Sequence, residues 1–198
     1  MNRLSDRDQY GAIPLFQPTI WKYQYPFDWA ALEPKINDLF LQIKTNSLLE
    51  KNAAWSTVSC DPEIQPHHWP ELQHFIDWVD IITVGIANDL NFQFPDYKIT
   101  NSWINQHDYS GETIEHNHNN TTFVVSAYLN CPPNSGNIVF KDPLEYHKSA
   151  WPIFPEQHLY QEIPVSTNDV LIFPGYLKHY AQPNLSSESR YVITFNIQ

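Results

Sequence analysis

The strongest constraint on the fold is a change in hydrophobic period near Asn91. Before this point, apolar residues recur at steps of three and four, as they do on one face of an α-helix. After it, apolar and polar residues alternate and turn-forming residues become frequent, which is typical of short β-strands. Helices grouped ahead of strands predict an α+β arrangement, with the helices packed on one face of an antiparallel sheet.

Two helices are predicted in the first part of the chain. The first carries its apolar residues over 32–43, with Asp28 available as N-cap and Pro34 acceptable only near the first turn. The second begins at about residue 70 and ends at about residue 90, where turn-forming residues follow. Thr83 is the one polar interruption in its apolar stripe.

Seven short strands are predicted in the second part, separated by turns rich in Pro, Gly and Asn. They lie at about residues 97–106, 112–118, 121–130, 137–141, 159–163, 169–173 and 190–197. Strands of this length and spacing predict a sandwich or barrel, for which a jelly roll is the natural candidate. We therefore expect one domain over residues 1–198, with helical support at about 1–95 and a jelly-roll core at about 96–198.

Composition excludes several classes of protein. The chain has 198 residues, 17% of them charged and 15% aromatic, so it is too aromatic to be disordered. No apolar run reaches the roughly 18 to 20 residues of a membrane span, and the first ten residues are too polar for a signal peptide. Cys60 and Cys131 have no CxxC partner, which favours free thiols in a reducing compartment. We expect a cytoplasmic globular protein without a membrane partner.

The charge balance bears on the partners of the protein. The formal net charge is −11, and Lys and Arg form no cluster along the chain. This balance argues against a broad surface for nucleic acid, although it leaves open a local groove for one base or a short strand.

Two closely spaced histidines define a candidate metal site. His116 and His118 are separated by one residue inside a predicted strand, where alternate side chains leave the same face. Both imidazoles can therefore bind one metal ion. His179 follows the predicted strand at 169–173 and a Pro-Gly turn, a place from which a third imidazole can be presented. The alternative interpretation is a pair of half-exposed polar residues on the rim of a sheet.

Arg190 opens the last predicted strand, which is otherwise apolar and alternating. It shares a face with Val192 and Thr194. A guanidinium that points into a barrel needs a carboxylate partner, because an unpaired buried charge is costly. That partner is either a dicarboxylate cosubstrate held by a bidentate pair or one of the 22 acidic residues of the chain.

The segment from Ser102 to Ile197 resembles the phage-associated and bacterial 2-oxoglutarate/Fe(II)-dependent oxygenases of the double-stranded β-helix class. The resemblance is carried by Ser102-Trp103-Ile104-Asn105, Gly111, His116-x-His118, Tyr128-Leu129, Gly136, Ile138 to Pro143, Ile172 to His179, and Arg190 to Ile197. The order and spacing of these segments agree with the family, including its aromatic-Pro-x-x-x-x-His element. Residues 13–16 and the aromatic-rich stretch after them are similar to its opening strand.

The resemblance implies an enzyme that uses Fe(II), 2-oxoglutarate and O2. His116 and His179 would bind the iron, and Arg190 would bind the far carboxylate of 2-oxoglutarate. Most relatives carry Asp or Glu where this chain has His118, which completes a two-His-one-carboxylate triad. The His-x-His variant resembles what this branch of the family often shows. With three neutral imidazoles Fe(II) keeps a charge of +2, which attracts an anionic cosubstrate and allows Zn(II) to compete.

Other residues are weaker candidates for the site. Three acids rank below His118 as the third ligand: Glu112, Glu115 and Asp142. Candidates for hydrogen bonds to 2-oxoglutarate or for orienting the imidazoles are Asn105, Tyr128 and Thr194. Aromatic residues for which core packing is favoured over a place at the substrate mouth are Trp103, Trp151 and Tyr176. Val124-Val125 stands where relatives frequently have Ser-Gly, which would narrow the space beside the metal.

The remaining histidines have no partner at metal-ligand spacing. Those predicted to lie on the surface or in loops are His74, His107, His147 and His158, while His67-His68 is predicted at a helix start. The stretch from Leu144 to Gln161, rich in aromatics and Pro, is the candidate loop covering the site.

Three functions compete on this pattern. The first is a hydroxylase that releases succinate and CO2, acting on a protein side chain or a small molecule. The second is a zinc or cupin-like three-His site of a hydrolase or lyase, and the third is a catalytically silent jelly-roll binding module. Arg190 separates the first from the second, because a hydrolytic site does not require a buried arginine next to it. Oligomeric state is left open.

Overall fold

The strands form two antiparallel sheets, and two helices lie on the larger one. The computed structural model describes residues 18–44, 50–51, 53–91, 98–145 and 159–198. The helices are α1 (Trp29–Lys44) and α2 (Gln73–Asp89). The strands are β1 (Trp21–Gln24), β2 (Glu50–Lys51), β3 (Ala54–Ser56), β4 (Ile99–His107), β5 (Thr113–His116), β6 (Phe123–Asn130), β7 (Ile138–Lys141), β8 (Tyr160–Ile163), β9 (Asp169–Pro174), β10 (His179–Ala181) and β11 (Arg190–Ile197).

The larger sheet has seven strands in the order β1-β9-β6-β11-β4-β3-β2, and the smaller has four in the order β5-β10-β7-β8. All pairings within the two sheets are antiparallel. This arrangement is the jelly roll predicted from the sequence, and the α+β class is likewise confirmed. No helix in the described part of the chain is long and apolar enough to cross a membrane.

Strict alternation along β6 and β11 gives the larger sheet two different faces. Apolar residues on one face pack against the helices: Val125, Ala127, Leu129, Ile193 and Phe195. The other face looks toward the smaller sheet, where Val124, Tyr128 and Val192 join a second core. Each fully buried Val, Leu, Ile or Phe side chain stabilises the fold by roughly 1.5–3 kcal/mol. The alternation therefore separates a dry core under the helices from the space between the sheets.

Helix α1 begins where the sequence predicts. The Asp28 carboxylate accepts a hydrogen bond from the backbone N–H of Ala31 at 3.1 Å, which satisfies one free donor of the first turn. The helix buries Leu32, Ile36, Phe40 and Ile43. Pro34 is the sixth residue of α1, so it lies beyond the first turn to which we expected it to be confined. There it removes one backbone hydrogen bond from the interior of the helix.

Helix α2 starts three residues later than predicted, because Pro70–Leu72 forms a separate 3₁₀ turn before Gln73. Its polar interruption is satisfied within the helix. Thr83 is fully buried, and its hydroxyl donates to the backbone carbonyl of Val79 at 2.7 Å. Two more 3₁₀ turns precede it, and the second of them holds His67 and His68.

All seven predicted strands are present, with small differences at their ends. Four further strands in the described part of the chain were not predicted: β1, β2, β3 and β10. The first three belong to the residues assigned to helical support, yet they extend the larger sheet at both of its edges. The segment 13–16, predicted as an opening strand, lies outside the described residues. Cys60 and Cys131 are free thiols, as predicted.

Candidate metal centre

Three imidazoles converge at one end of the space between the sheets. One ring nitrogen from each of His116, His118 and His179 lies within 4.8 Å of the corresponding atoms of the other two. The ring centroids are 4.4 Å apart for His116 and His179 and 5.2 Å apart for each of the other two pairs. This is the set of three residues that the sequence singled out as possible metal ligands.

Hydrogen bonds fix which nitrogen of each imidazole is free. The Nδ1 atoms of His116 and His179 lie 2.8 Å from the carbonyl oxygens of Ile114 and Leu177, respectively. The Nδ1 atom of His118 lies 2.7 Å from the side-chain oxygen of Asn196. A carbonyl oxygen only accepts, so each Nδ1 carries the proton and donates it. Each Nε2 is therefore left with a lone pair, which is the form that binds a metal.

His118 Nε2 shows that the cluster suits a metal ion. This atom is buried and has no hydrogen-bond partner among the described residues. A buried polar atom without a partner costs about 1–3 kcal/mol, and a metal bound by three neutral imidazoles would remove that cost. Three nitrogen ligands suit Fe(II) as well as Zn(II), so the donor set fits iron without selecting it.

A bulge in β5 brings His116 to face the cavity. His179 pairs with His116 and Ala181 pairs with Thr113, so two steps along β10 match three along β5. The extra residue allows both Thr113 and His116 to line the same cavity. Simple alternation would have placed them on opposite faces. β5 also ends at His116, which is two residues earlier than predicted.

His118 is held from outside the strand. Its backbone N–H donates to the carbonyl of Gly175 at 2.9 Å, which ties it to the turn after β9. Its ring stacks on Trp103 with centroids 5.6 Å apart and planes 19° apart. His118 lies outside β5 and has no strand pairing. These contacts and the hydrogen bond to Asn196 fix the position of its imidazole instead.

Burial keeps the imidazoles of His118 and His179 neutral. Desolvation, with a smaller repulsion from His116, lowers the pKa of His179 from 6.5 to about 3. Desolvation likewise lowers the pKa of His118 to about 4, although the hydrogen bond to Asn196 opposes this shift. Both rings are therefore ready to bind a metal at neutral pH without first losing a proton.

The metal-free protein is expected to lose stability as the pH falls from 7.5 to 5.5. The folded pKa values of His107, His118 and His179 are about 3, 4 and 3, below the 6.5 of an unperturbed histidine. The unfolded chain therefore binds more protons in this range, and the free energy of unfolding falls as the pH falls. Each of these three histidines lowers the free energy of unfolding by about 1.4 kcal/mol at pH 5.5, or by roughly 4 kcal/mol together. His67, with a pKa of about 4, adds to this loss. Urea unfolding at the two pH values measures this change, and equal stability would contradict it.

Replacing Asn196 by alanine is expected to weaken Fe(II) binding by about 10-fold, because His118 would lose the acceptor that sets its tautomer and orientation. Asn196→Asp keeps an oxygen acceptor and is expected to bind Fe(II) at least as tightly as the wild type. Anaerobic competition against a chromophoric chelator measures both affinities. Equal affinity in the wild type and Asn196→Ala would show that this hydrogen bond does not orient a ligand.

A cavity of about 830 Å³ extends from the three imidazoles into the space between the sheets. Its wall includes the three residues predicted to hydrogen-bond a cosubstrate: Asn105, Tyr128 and Thr194. Burial raises the pKa of the Tyr128 hydroxyl, so it stays protonated and can donate. The structure thus brings all the predicted site residues to one cavity.

Arg190 lines the same cavity and is 1% exposed. Its Nη1 donates to the backbone carbonyls of Ser135 and Gly136 at 2.5 and 3.0 Å, and its Nη2 donates to that of Gln182 at 3.2 Å. Its Nε is buried and has no partner among the described residues. A guanidinium has five N–H groups, so Nε and one hydrogen of Nη2 remain available for a bidentate carboxylate.

The carbonyls that hold Arg190 depend on a glycine. Gly136 has a φ of +81°, and a side chain there would meet the carbonyl oxygens of Gln182 and Pro183 at 2.7 Å. Any larger residue would therefore push apart the backbone segments that hold the guanidinium. No carboxylate of the described residues forms an ion pair with Arg190. The alternative of an internal ion pair thus has no support in the described part of the chain.

The three acids considered as alternative ligands lie apart from the imidazole cluster. Glu115 forms an ion pair with Lys141 at 3.6 Å and does not line the cavity. Asp142 accepts from the backbone N–H of Leu144 in a turn. Glu112 lines the cavity, but it does not belong to the cluster of possible ligands among the described residues.

Several weaker predictions have a clear outcome. Trp103 is buried and also lines the cavity, while Tyr176 is exposed. Val124 packs in the core between the sheets, and neither it nor Val125 lines the cavity, so this pair does not narrow the space beside the imidazoles. The predictions for Trp151, His147, His158 and most of the covering loop concern positions outside the described residues.

The prediction for His107 was wrong. This residue is 2% exposed, ends β4 and lines the cavity, whereas we expected it on the surface or in a loop. Alternation from Trp103 through Asn105 would have placed His107 on the same face, so the signal was present in the sequence. His74 is exposed as predicted, although on a helix. Asn196 was also missed as a residue that orients a ligand.

A family model identifies the region that carries this site. Residues 101–196 match the family described as "Putative 2OG-Fe(II) oxygenase", where 2OG is 2-oxoglutarate. The matched region spans 96 of the 198 residues and contains all three histidines and Arg190. The chain is therefore an enzyme of the 2-oxoglutarate- and Fe(II)-dependent oxygenase class, as the resemblance predicted. No curated protein matches the sequence at a significant level.

Solved structures share the fold at low sequence identity. A Pseudomonas putida prolyl-4-hydroxylase aligns with a TM-score of 0.57 and 10% identity over 91% of this chain and 92% of that chain. AviO1 from Streptomyces viridochromogenes aligns with a TM-score of 0.58 and 16% identity over 91% and 89%. HygX from Streptomyces hygroscopicus, solved with nickel and 2-oxoglutarate, aligns with a TM-score of 0.56 and 12% identity over 91% and 82%. These likenesses show the double-stranded β-helix fold.

Proposed function

We propose that the protein hydroxylates a small molecule or a protein side chain, with Fe(II) bound by His116, His118 and His179 and 2-oxoglutarate anchored by Arg190. The observation that carries this proposal is the set of three hydrogen bonds that leave one Nε2 lone pair on each imidazole. Histidines that serve only as packing residues have no need for this common orientation. The convergence of these nitrogens within 4.8 Å supports a shared metal ion.

Bound by the three histidines and by Arg190, Fe(II) and 2-oxoglutarate would supply the activation of O2 for oxidation of a substrate C–H bond, with succinate and CO2 as by-products. The protein holds and shields these groups. Three neutral imidazoles leave the charge of Fe(II) uncompensated, so the centre attracts an anionic cosubstrate. Trp103, Phe140 and Phe173 surround the imidazoles with apolar surface, which lowers the local dielectric and strengthens that attraction.

Arg190 supports the assignment of a dicarboxylate cosubstrate. It lies buried in the cavity wall, and its free Nε and Nη2 hydrogens face no carboxylate of the described chain. Desolvation lowers its pKa, yet a guanidinium remains charged at any physiological pH. A bound dicarboxylate would both neutralise this charge and satisfy the free donors. A hydrolytic zinc site has no use for such a group.

The outer part of the cavity supports an organic substrate with apolar surface. Its wall includes the exposed side chains of Val58 and Ile114 and the half-buried rings of Trp55 and Tyr180. Glu112 adds a carboxylate, and among the lining residues of the described part of the chain Arg190 is the only Lys or Arg. The chain as a whole has a net charge of −11. Both the cavity wall and the net charge disfavour binding of an anionic polymer, so nucleic acid is not the proposed substrate.

The reaction outcome is tested by isotope labelling. Pools of small metabolites and of peptides are incubated with the Fe(II)-loaded protein and 2-oxoglutarate under ¹⁸O2, and products are compared by mass spectrometry with those formed under ¹⁶O2. Hydroxylation places one labelled oxygen in the product and the other in succinate. A product formed with succinate but without label would instead indicate cyclisation, epimerisation or desaturation. Absence of succinate under all conditions would contradict the oxygenase itself.

We also propose that the protein works in a reducing compartment such as the cytoplasm, including that of a host cell if the chain is phage-encoded. The two free thiols support this proposal, since both would be prone to oxidation elsewhere. Localisation of a fluorescently tagged chain in the source cell tests it.

A further inference from the structure

His107 and Arg190 stand side by side at the inner end of the cavity. The two residues are register partners in the antiparallel pairing of β4 with β11. Directly opposite residues on one face of such a pair have Cβ atoms about 4.5–5.5 Å apart. Both line the cavity, and they are 2% and 1% exposed. They therefore share one desolvated corner of the site.

Each of the two side chains keeps an unused polar atom in that corner. His107 Nε2 lies 2.7 Å from the Thr113 hydroxyl, but its Nδ1 is buried without a partner among the described residues. Arg190 is held by three backbone carbonyls, and its Nε is buried without a partner in the same part of the chain. Two buried N–H groups without hydrogen-bond acceptors reduce the stability of the fold, and one bound ligand could accept hydrogen bonds from both.

We propose that His107 is a second binding residue for the far carboxylate of 2-oxoglutarate, donating a hydrogen bond from Nδ1 beside the bidentate contact of Arg190. This inference rests on the proposed function. His107 was predicted from the sequence to lie on the surface or in a loop. Under this proposal two residues, His107 and Arg190, bind the far carboxylate.

The local chemistry sets the required tautomer. Desolvation, with repulsion from Arg190, lowers the pKa of His107 to about 3, so the ring is neutral and carries one N–H. The Thr113 hydroxyl can donate to Nε2, which leaves that proton on Nδ1. A neutral donor adds a hydrogen bond without placing a second positive charge beside the guanidinium. Thr113 is therefore a positioning residue for this bond.

Calorimetric titration of the Fe(II)-loaded protein under anaerobic conditions tests the inference, with 2-oxoglutarate and pyruvate as probes. Pyruvate keeps the 2-oxo acid that would chelate the metal, but it lacks the far carboxylate. His107→Phe is expected to weaken 2-oxoglutarate binding by about 10-fold, the value of one hydrogen bond to a charged group. Binding of pyruvate and of Fe(II) is expected to stay within about two-fold of the wild type, on the same basis.

Two further variants separate binding from folding. Asparagine can place an amide donor near the position of Nδ1, so His107→Asn is expected to recover most of the affinity for 2-oxoglutarate. Thr113→Val keeps the imidazole but removes the group that sets its tautomer, and a loss of about three-fold is expected. A purely structural role would instead lower the melting temperature of all three variants and leave 2-oxoglutarate affinity unchanged.

The outcomes distinguish this inference from the function on which it rests. If the wild type binds 2-oxoglutarate and Arg190→Ala loses it while His107→Phe does not, only the role of His107 is overturned. The same holds if His107→Phe weakens pyruvate and 2-oxoglutarate equally. If the Fe(II)-loaded wild type binds no 2-oxoglutarate, the proposed function itself is wrong.

Discussion

Replacing His179 by alanine is expected to lower Fe(II) affinity by more than about 100-fold and to abolish succinate formation. Loss of a residue that only hydrogen-bonds to a metal ligand already costs about 10- to 100-fold. His179 is the first residue of β10 and pairs with His116 of β5. The pairing of these two strands therefore holds two of the three proposed metal ligands next to each other. Without it, two imidazoles remain, which is too few to hold a divalent ion firmly. Anaerobic competition with a chelator measures the affinity, and a coupled assay measures succinate.

Packing must be separated from ligation in that experiment. Phe140 and Phe173 lie against the ring of His179, with centroids 5.6 and 4.8 Å away, so alanine leaves a cavity there. His116→Ala is the matched variant, because His116 is only half-buried and its removal disturbs packing less. His74→Ala, on the exposed face of α2, is the control that should bind iron normally. Wild-type affinity in both His179→Ala and His116→Ala would refute the metal centre.

Replacing Arg190 by alanine is expected to weaken 2-oxoglutarate binding by about 100-fold while Fe(II) affinity stays within about two-fold, because only the far carboxylate loses its partner. Arg190→Lys keeps the charge but not the planar fork, and an intermediate loss is expected. Titration of the Fe(II)-loaded variants with 2-oxoglutarate and with pyruvate measures these changes. Equal loss of metal and cosubstrate binding would contradict the assignment of Arg190.

Stability and net charge both need controls in this comparison. Removing Arg190 leaves the carbonyls of Ser135, Gly136 and Gln182 without their donor, which costs about 1–3 kcal/mol of folding free energy for each carbonyl that stays buried. Titrations therefore have to be made well below the melting temperature of each variant. Lys178→Ala removes a cation from the exposed residue next to His179. It should change 2-oxoglutarate affinity by less than about two-fold, since an exposed charge is screened by salt.

Hydrophobic patterns that continue over many residues predicted most of the fold. Four of the seven strands after Asn91 belong to the larger sheet, β4, β6, β9 and β11, and their side chains alternate between the core under the helices and the space between the sheets. The other three, β5, β7 and β8, belong to the smaller sheet and were found as short runs between turns. β3 and β10 were missed because each is three residues long, too short to show a period. They form through pairing with β4 and β7, which is information that the local sequence does not carry.

The candidate site was predictable where its residues lie within one motif or one strand. The alternation of Arg190, Val192 and Thr194 follows from two-residue periodicity. The His-x-His spacing identified the right two residues, although His118 lies beyond the end of β5 and is held by contacts outside the strand. His107 was missed although alternation from Trp103 through Asn105 places it on the same face of the strand. What the sequence does not show is that His107 lies opposite Arg190, because that register is established only in the folded sheet. The bulge that turns Thr113 toward the cavity was missed for the same reason, since it is a mismatch between two strands.

The central claim is that three neutral imidazoles hold Fe(II) and that 2-oxoglutarate then binds beside Arg190. Anaerobic titration of the metal-free protein with Fe(II) and then with 2-oxoglutarate tests it most directly, by the weak visible charge-transfer band of a chelated 2-oxo acid. The account predicts a band that saturates at one equivalent of each component, is absent in His179→Ala, and in Arg190→Ala needs about 100-fold more 2-oxoglutarate. Tight binding of Zn(II) with no such band under any condition would contradict it and favour a hydrolytic or silent three-histidine site.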